Sequence, residues 1–360
     1  MIALDTHTEA QLKSQRWPHV NGYVIILIIV LYSVSIGSQL SQPIVGDEIR
    51  YLDYARNLLN GAYALAKDGG IRNGPGYPLL LAPLVAMGIP DAWLRLANLP
   101  LVCLGLLYVY ATIAIYTSRR VASITTVLLA LYPPLVFLSG QLMTEAFGLF
   151  LFAGFAYHFL TWQQSARGGI AHLLLTSLYL GALALTKVIF GYVIIALLML
   201  IAGFRLIPGL YRRLIPRGTA EMVFILAFLC CTPYLVYTYA VTSKIFYWST
   251  NGGENLYWMT VTGAKIWGSW VGPQTSSEMT ELSPEQRDFL AYVSTLNAVE
   301  RDTAYKQKFV EQVMKEPHIY LWNWISNVTR MLFNYPYSKR QQSLFTYGYL
   351  APNMLGCNSH

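Results

Sequence analysis

GYVIILIIVLYSVSIGSQLSQPIVGDEIRYLDYARNLLNG, Gly22 to Gly61, decides how the rest of the chain is read. Its first part, Gly22–Ser38, is apolar all round and carries no charge, so it reads as a membrane span. Directly after it comes GDEIRYLDYARNLLNG, the densest cluster of charge in the first half of the chain. Tyr51, Tyr54, Ala55 and Leu58 recur at i, i+3, i+4 and i+7, while Arg50, Asp53, Asn57 and Asn60 fall on the other side. The pattern predicts an amphipathic helix on a membrane surface, opening on the adjacent carboxylates Asp47 and Glu48. Two readings of that pair stand side by side. In one, Asp47 is an N-cap and Glu48 complements the helix dipole. In the other, the pair carries chemistry.

The remaining composition agrees with a membrane setting. Of 360 residues, 55% are hydrophobic and 12% charged, with a mean hydropathy of +0.41, whereas soluble domains carry about 25% charge. Apolar runs long enough to cross roughly 30 Å of hydrocarbon recur along the chain. The net charge of +7 needs no nucleic acid, because most of the bases between spans follow the positive-inside rule, the exceptions being Arg50, Arg56, Lys67, Arg72 and Arg95 in the first external loop, interleaved with acids. Of the four cysteines, Cys103, Cys230 and Cys231 fall in spans and Cys357 lies near the end. They show neither metal spacing nor a disulfide framework.

About seven spans are expected: Gly22–Ser38, Leu96–Thr117, Val121–Ser139, Thr144–Trp162, Ala171–Thr186, Val188–Phe204 and Ala220–Val241. Residues 1–21 read as a retained cytoplasmic tail, 22–242 as a transmembrane module, and 243–360 as an external region. Lys13 and Arg16, Arg119 and Arg120, Arg167, and the cluster Arg205, Arg212, Arg213, Arg217 then lie on the cytoplasmic side. The first external loop, residues 39–95, also carries KDGGIRNGPGYP, a turn-rich segment displaying Arg72 and Tyr77. PLLLAPLVAMG is too short to span, and Tyr132–Pro133–Pro134 must kink or end its helix.

Two ionisable residues stand at membrane depth, Glu145 opening the fourth span and Lys187 between the fifth and sixth. Such residues are functional candidates because charge in hydrocarbon is costly; the plain alternative is snorkelling from a span's end. His158 reads as structural. NGGENLYWMTVTGAKIWGSWVG, Asn251–Gly272, brings Tyr257, Trp258, Trp267 and Trp270. It is expected to be a covering loop with flat faces for a sugar ring or lipid, or else an interfacial aromatic belt. Ser283–Pro284–Glu285–Gln286 is a capping box that starts a helix, and a second helix runs up to Pro317. A third has Leu321, Trp324, Ile325, Val328 and Leu332 on one face and Asn323, Asn327, Arg330 and Asn334 on the other, as a surface helix would.

In their order and spacing these residues resemble the GT-C class of integral-membrane glycosyltransferases. Within it they resemble the branch of protein O-mannosyltransferases and the lipid A aminoarabinose transferase. The resemblance runs from the first span to about Pro336 and rests on several short matches. They are Asp47, Glu48 and Tyr51 in the first loop, Arg72 before GPGYP, Arg95–Leu96, Thr144–Glu145, Gly181 to Lys187, and ELSPEQRD. It implies an all-α GT-C-like bundle with amphipathic surface helices in the first loop and the C-terminal region. It also implies a polyprenyl-phosphate-linked sugar donor, inverting transfer to a lipid, glycan or protein acceptor, and Asp47 as catalytic base. The expected setting is a bacterial inner membrane with the site on its extracytoplasmic face. Family members continue into further spans, whereas this sequence stops at NMLGCNSH, as a minimal or shortened member would.

The chemistry explains the residue types. Displacing a polyprenyl phosphate needs a base for the acceptor hydroxyl, and a partly desolvated carboxylate is a better one. Asp47, with Glu48 beside it, is the candidate. Charge building on the leaving phosphate needs fixed cations, for which Arg72 and Lys187 are the best candidates, with Arg95 and Arg50 behind them. Glu145, Tyr51, Tyr77 and Trp258 are expected around the acceptor or substrate. Glu48 and Glu145 could hold a divalent ion, but two carboxylates do not make a metal site and none is assigned. The competing readings are a transporter or lipid flippase, which would show an inverted repeat and midplane charges, and a shortened non-catalytic relative.

Overall fold

The computed structural model describes residues 22–64, 70–164, 169–206, 220–261, 268 and 282–333. The expected tail 1–21, Lys67, Arg167, the cluster Arg212, Arg213 and Arg217, Trp267, Trp270 and Cys357 lie outside the described residues. Among those described, all regular structure is helical. The helices are α1 (Gly22–Gln39), α2 (Asp47–Leu59), α3 (Gly76–Ala86), a 3₁₀ turn (Asp91–Ala97), α4 (Asn98–Tyr116), α5 (Arg119–Ala130) and α6 (Pro133–Ser139). They continue as α7 (Thr144–Gln164), α8 (Ile170–Thr186), α9 (Ile189–Arg205) and α10 (Ala220–Thr242). A C-terminal group follows: α11 (Gly252–Trp258), α12 (Pro284–Ser294), α13 (Ala298–Lys315) and α14 (Pro317–Phe333).

Among the described residues, three helical stretches, Gly22–Gln39, Asp91–Tyr116 and Glu221–Thr242, are long and apolar enough to cross a membrane. The pair α5–α6, bent by 60°, makes a fourth if it counts as one span. About seven were expected. The helices α8 and α9 have 17 residues each, about 25 Å of rise, which is the short limit for a span. The 21-residue α7 has the length, but Tyr157, His158, Thr161, Gln163 and Gln164 make its last third polar.

The bend has a chemical cause and a structural use. Pro134 has no N–H for the Ala130 carbonyl, so the helix breaks at Leu131–Tyr132 as expected. The Tyr32 hydroxyl donates to that carbonyl instead, at 2.9 Å. Ser35 Oγ donates to the Val136 carbonyl at 3.0 Å and Gln39 Nε2 to that of Phe137 at 3.0 Å. These three bonds dock α1, of which only Tyr32 and Ile36 are buried; its other faces are left for lipid.

Two apolar clusters fill the bundle. One joins α1, α2, α3, α4 and α7 around Tyr51, Tyr77, Leu94, Val102 and Leu142. The other joins α8, α9 and α10 around Leu180, Ile194, Ala227, Tyr234 and Trp248. Trp248 is fully buried against Gly191, where a Cβ would come within 2.4 Å of its ring.

The C-terminal helices have their own core of Tyr257, Trp258, Val261, Val293 and Tyr305. The capping box forms as expected, Ser283 Oγ accepting from the Gln286 N–H and Gln286 Oε1 from the Ser283 N–H. A second one, Asn297 with Glu300, starts α13. The fully buried Asp302 carboxylate clasps the module to the preceding strand of loop: it accepts from Tyr247 Oη, from the Gly253 N–H at 2.6 Å, and from Lys306 at 2.6 Å.

Helix α14 has the two faces expected of a surface helix, and the structure decides which is inner. Its asparagine face is the inner one: Asn323, 3% exposed, donates to the carbonyls of Met259 and Val261, and Asn327 to that of Gly268. Leu321, Trp322, Trp324 and Ile325 point outward. The amides serve loop carbonyls that would otherwise be buried without donors, and an outward apolar stripe is what a bilayer interface solvates.

A glycine pair on α9 tests this packing. Alanine normally stabilises a helix by about 0.5–1 kcal/mol over glycine. Gly203, with nothing within 4 Å of its Cβ position, should show that gain as a raised melting temperature in detergent. Gly191→Ala should instead lose about 1–3 kcal/mol through overpacking on Trp248. Shifts of the same sign in both variants would contradict the packing.

Candidate active site around the start of helix α2

Helix α2 begins at Asp47, with Gly46 as a cap that supplies no side-chain hydrogen bond. Asp47 is therefore the first helical residue and not the N-cap. Its carboxylate pairs with Arg50 at 3.0 Å, one turn on, and is 43% exposed. The next residue has the opposite fate. Glu48 is 3% exposed and meets Arg95, 1% exposed, in a bidentate pair: Nε to Oε1 and Nη2 to Oε2, both 3.0 Å. Glu48 also accepts from the Leu142 N–H at 2.8 Å and the Val45 N–H at 3.3 Å. Arg95 donates further to the carbonyls of Gln39, Gln42 and Pro43.

That geometry corrects two expectations. A guanidinium has five N–H donors, and all five of Arg95 are engaged. It has none left for a phosphate, and Glu48 is its counter-ion rather than a base open to an acceptor. Tyr77 and Trp258 are corrected too. Tyr77 is fully buried and donates to Asn98 Oδ1 at 3.1 Å; Trp258 is 3% exposed in the C-terminal core and offers no ring face to a sugar.

A connected set of side chains remains. The turn Asn73–Gly74–Pro75–Gly76 lies hard against the end of α8. A Cβ on Gly74 would fall 2.0 Å from the Leu185 carbonyl oxygen, and one on Gly76 2.2 Å from Thr186 Oγ1. Glycine at both positions lets the turn sit beside Lys187, the residue after α8. Asn73 is the junction: its Oδ1 accepts from Arg50 at 3.2 Å and its Nδ2 donates to Tyr51 Oη at 3.1 Å. Tyr51 is hydrogen-bonded in turn to the Thr144 side chain. Glu145, the next residue, pairs through Oε1 with Lys187 Nζ at 3.0 Å. Its Oε2 is buried with no hydrogen-bond partner among the described residues.

Asp47, Arg50, Asn73, Tyr51, Thr144, Glu145 and Lys187 thus form one line of contacts. Burial raises the Tyr51 hydroxyl pKa far above its usual value, and the charges of Asp47 and Glu145 push the same way against Thr144 and Arg50. The phenol stays protonated, and its oxygen accepts from Asn73 Nδ2. Arg72 takes another direction. Its Nη2 pairs with Glu254 at 2.6 Å, and both line an open basin of about 500 Å³ with Arg50, Asp53 and Arg301. Reasoning from sequence missed Asn73 and Glu254. The sequence signal for Asn73 was its place just before the Gly-Pro-Gly turn; Glu254 had none. No three His, Cys, Asp or Glu side chains among the described residues gather to hold a metal ion.

Comparison with known protein families and with curated proteins finds no match. Among solved structures, the chain is similar to the protein O-mannosyltransferase Pmt1–Pmt2 complex of S. cerevisiae bound to the sugar donor. Identity is 19% and the TM-score 0.44, over 64% of this chain and 34% of that one, so the match takes in about a third of that chain's length. At those values the similarity fixes neither the activity nor the fold family.

The two ion pairs should separate in stability. Arg95→Met strands a buried carboxylate and should cost about 3–5 kcal/mol, collapsing the yield of folded, extractable protein. Lys187→Met breaks a pair whose side chains are 38% and 29% exposed, worth about 1 kcal/mol or less once solvent screens it. Size-exclusion after graded heating would rank them, and equal losses would contradict these assignments.

Proposed function

We propose that this is an integral-membrane glycosyltransferase, moving a sugar from a polyprenyl-phosphate-linked donor to an acceptor hydroxyl on the extracytoplasmic face with inversion. The observation that carries the reading is the division of labour at Asp47–Glu48. One carboxylate is buried and neutralised by Arg95, while its neighbour stays accessible on the same rigid turn, oriented by Arg50. A cap or a mere dipole partner would not need that arrangement.

In this reading Asp47 accepts the proton of the acceptor hydroxyl as its oxygen attacks the anomeric carbon. The new C–O bond forms opposite the bond to the phosphate, which leaves with the electron pair. Lys187 is placed to stabilise that leaving charge by exchanging its Glu145 partner for the phosphate. Arg72 stands in reserve across the Asn73 turn, held by Glu254. Tyr51, a protonated phenol whose oxygen accepts from Asn73 Nδ2, holds the Asn73 amide in register with Arg50. Glu145 orients either Lys187 or the sugar through its unpartnered oxygen. Apolar helices of spanning length give the donor's tail a solvent that a soluble enzyme could not.

The test is transfer from a radiolabelled polyprenyl-phosphate hexose by purified, reconstituted protein. Asp47→Asn keeps shape and polarity but cannot take the proton, so turnover should fall about 10²–10⁴-fold while donor binding is retained. Lys187→Ala should weaken use of the donor far more than Arg205→Ala, whose pair with Glu221 lies at the opposite end of the bundle. Full activity in Asp47→Asn, or equal damage from Lys187→Ala and Arg205→Ala, would overturn the proposal.

A further inference from the structure

A groove of about 720 Å³ opens between α1 and the bent helix α6 and ends at the first turn of α2. Its lining changes character along its length. Leu31, Leu131 and Val136 form the end farther from α2, with Ser35 bonded to the Val136 carbonyl between them and Gln39, and Leu31 lies about 12 Å along α1 from Gln39. Nearer α2 the walls carry the side chains of Ser38, Gln39, Gln42 and Gln141. The ionic groups in the lining are Glu48 and Arg95, which neutralise each other and have no guanidinium N–H to spare. The groove is therefore apolar at one end, amide- and hydroxyl-rich at the other, and without an available cation. Asp47 is not in its lining, but Glu48, the next residue of the same turn, is.

We infer that this groove binds a membrane lipid with an uncharged, hydroxyl-bearing head group, and that this lipid is the sugar acceptor. The second half of the statement rests on the transferase reading above; the first does not. Acyl chains would lie along Leu31, Leu131 and Val136, reached from the bilayer because α1 is buried only at Tyr32 and Ile36. The head group would meet neutral amides and present a hydroxyl at the turn that carries Asp47. A phosphate head would be stripped of water here with no cation to meet it, and unpaired charge is what low-polarity sites exclude. The cation proposed for the donor phosphate, Lys187, stands instead just after α8, paired with Glu145 of α7. The two reactants would then approach the start of α2 by different paths.

The experiment uses two photoactivatable probes with identical diazirine-bearing acyl chains, a diacylglycerol and a phosphatidic acid, added at trace level to the protein in nanodiscs. The diacylglycerol should crosslink to peptides of α1 and α6 with a preference of about tenfold, equivalent to about 1.4 kcal/mol. Excess polyprenyl phosphate should not compete. Leu131→Trp and Val136→Trp, which fill the groove from its apolar end, should each abolish the labelling. Equal or stronger labelling by phosphatidic acid, or competition by polyprenyl phosphate in the unaltered protein, would overturn the inference and give the groove to an anionic lipid or to the donor's tail. Unchanged labelling in folded Trp variants would reduce it to lipid on the outer surface. Asp47→Asn separates the two proposals: labelling should survive in it while transfer is lost. Labelling of the expected kind with no transfer in any variant would leave a neutral-lipid site and remove the enzyme.

Discussion

The buried bidentate pair between Glu48 and Arg95 is the contact on which the geometry of this molecule turns. It gathers three separate pieces of chain: the carbonyls of Gln39, Gln42 and Pro43 at and after the end of α1, the Leu142 N–H before α7, and the first turn of α2. Two charges this deep are tolerable because each is fully hydrogen-bonded, and removing either leaves the other uncompensated. The consequence is positional. With Glu48 fixed inward, helical geometry turns Asp47 about 100° away, toward Arg50 and the open side. The carboxylate proposed as base owes its accessibility to the burial of its neighbour.

A second constraint comes from residues that lack something. Pro134 lacks an N–H, and the carbonyl it leaves free becomes the anchor for Tyr32 and so for α1. Gly74 and Gly76 lack a Cβ, and the turn can therefore touch the end of α8 closely enough to place Asn73 between Arg50 and Tyr51. The break at Pro133–Pro134 also shapes the groove beside α1, since α6 leaves the line of α5 by 60°. One proline pair thus sets both the attachment of the peripheral helix and the cleft it borders.

The C-terminal helices contribute a lid-like wall to the basin beside Arg72, through Glu254, Asn297 and Arg301. Their internal order depends on Asp302, whose carboxylate joins Tyr247, the start of α11 and Lys306. Charged pairing here does what apolar packing does inside the bundle. The aromatic residues expected to meet ligand, Tyr257 and Trp258, are consumed by this small core, because a module of four short helices has little other apolar volume to bury.

Several features followed from sequence alone because they are local. The helical membrane character, the amphipathic α2, the break at Pro133–Pro134, the capping box at Ser283 and the helix ending before Pro317 each depend on residues within a few positions of one another. The first-loop acids, Lys187 and Glu145 were also visible as charges in unusual places. What no local pattern could determine was partnership. Asp47 and Glu48 are chemically alike and adjacent, and only the arrival of Arg95, 47 residues away, decides which is buried. Arg95 stood behind Arg72 and Lys187 as a candidate phosphate ligand, and only the structure shows five carbonyl and carboxylate contacts absorbing it. The two faces of α14 were legible in the sequence, but not which one faces inward, because a chain in a bilayer can solvate apolar side chains outside and must satisfy loop carbonyls inside. Periodicity fixes which residues share a face; only the tertiary structure, by supplying the partner for each polar group, decides what that face meets.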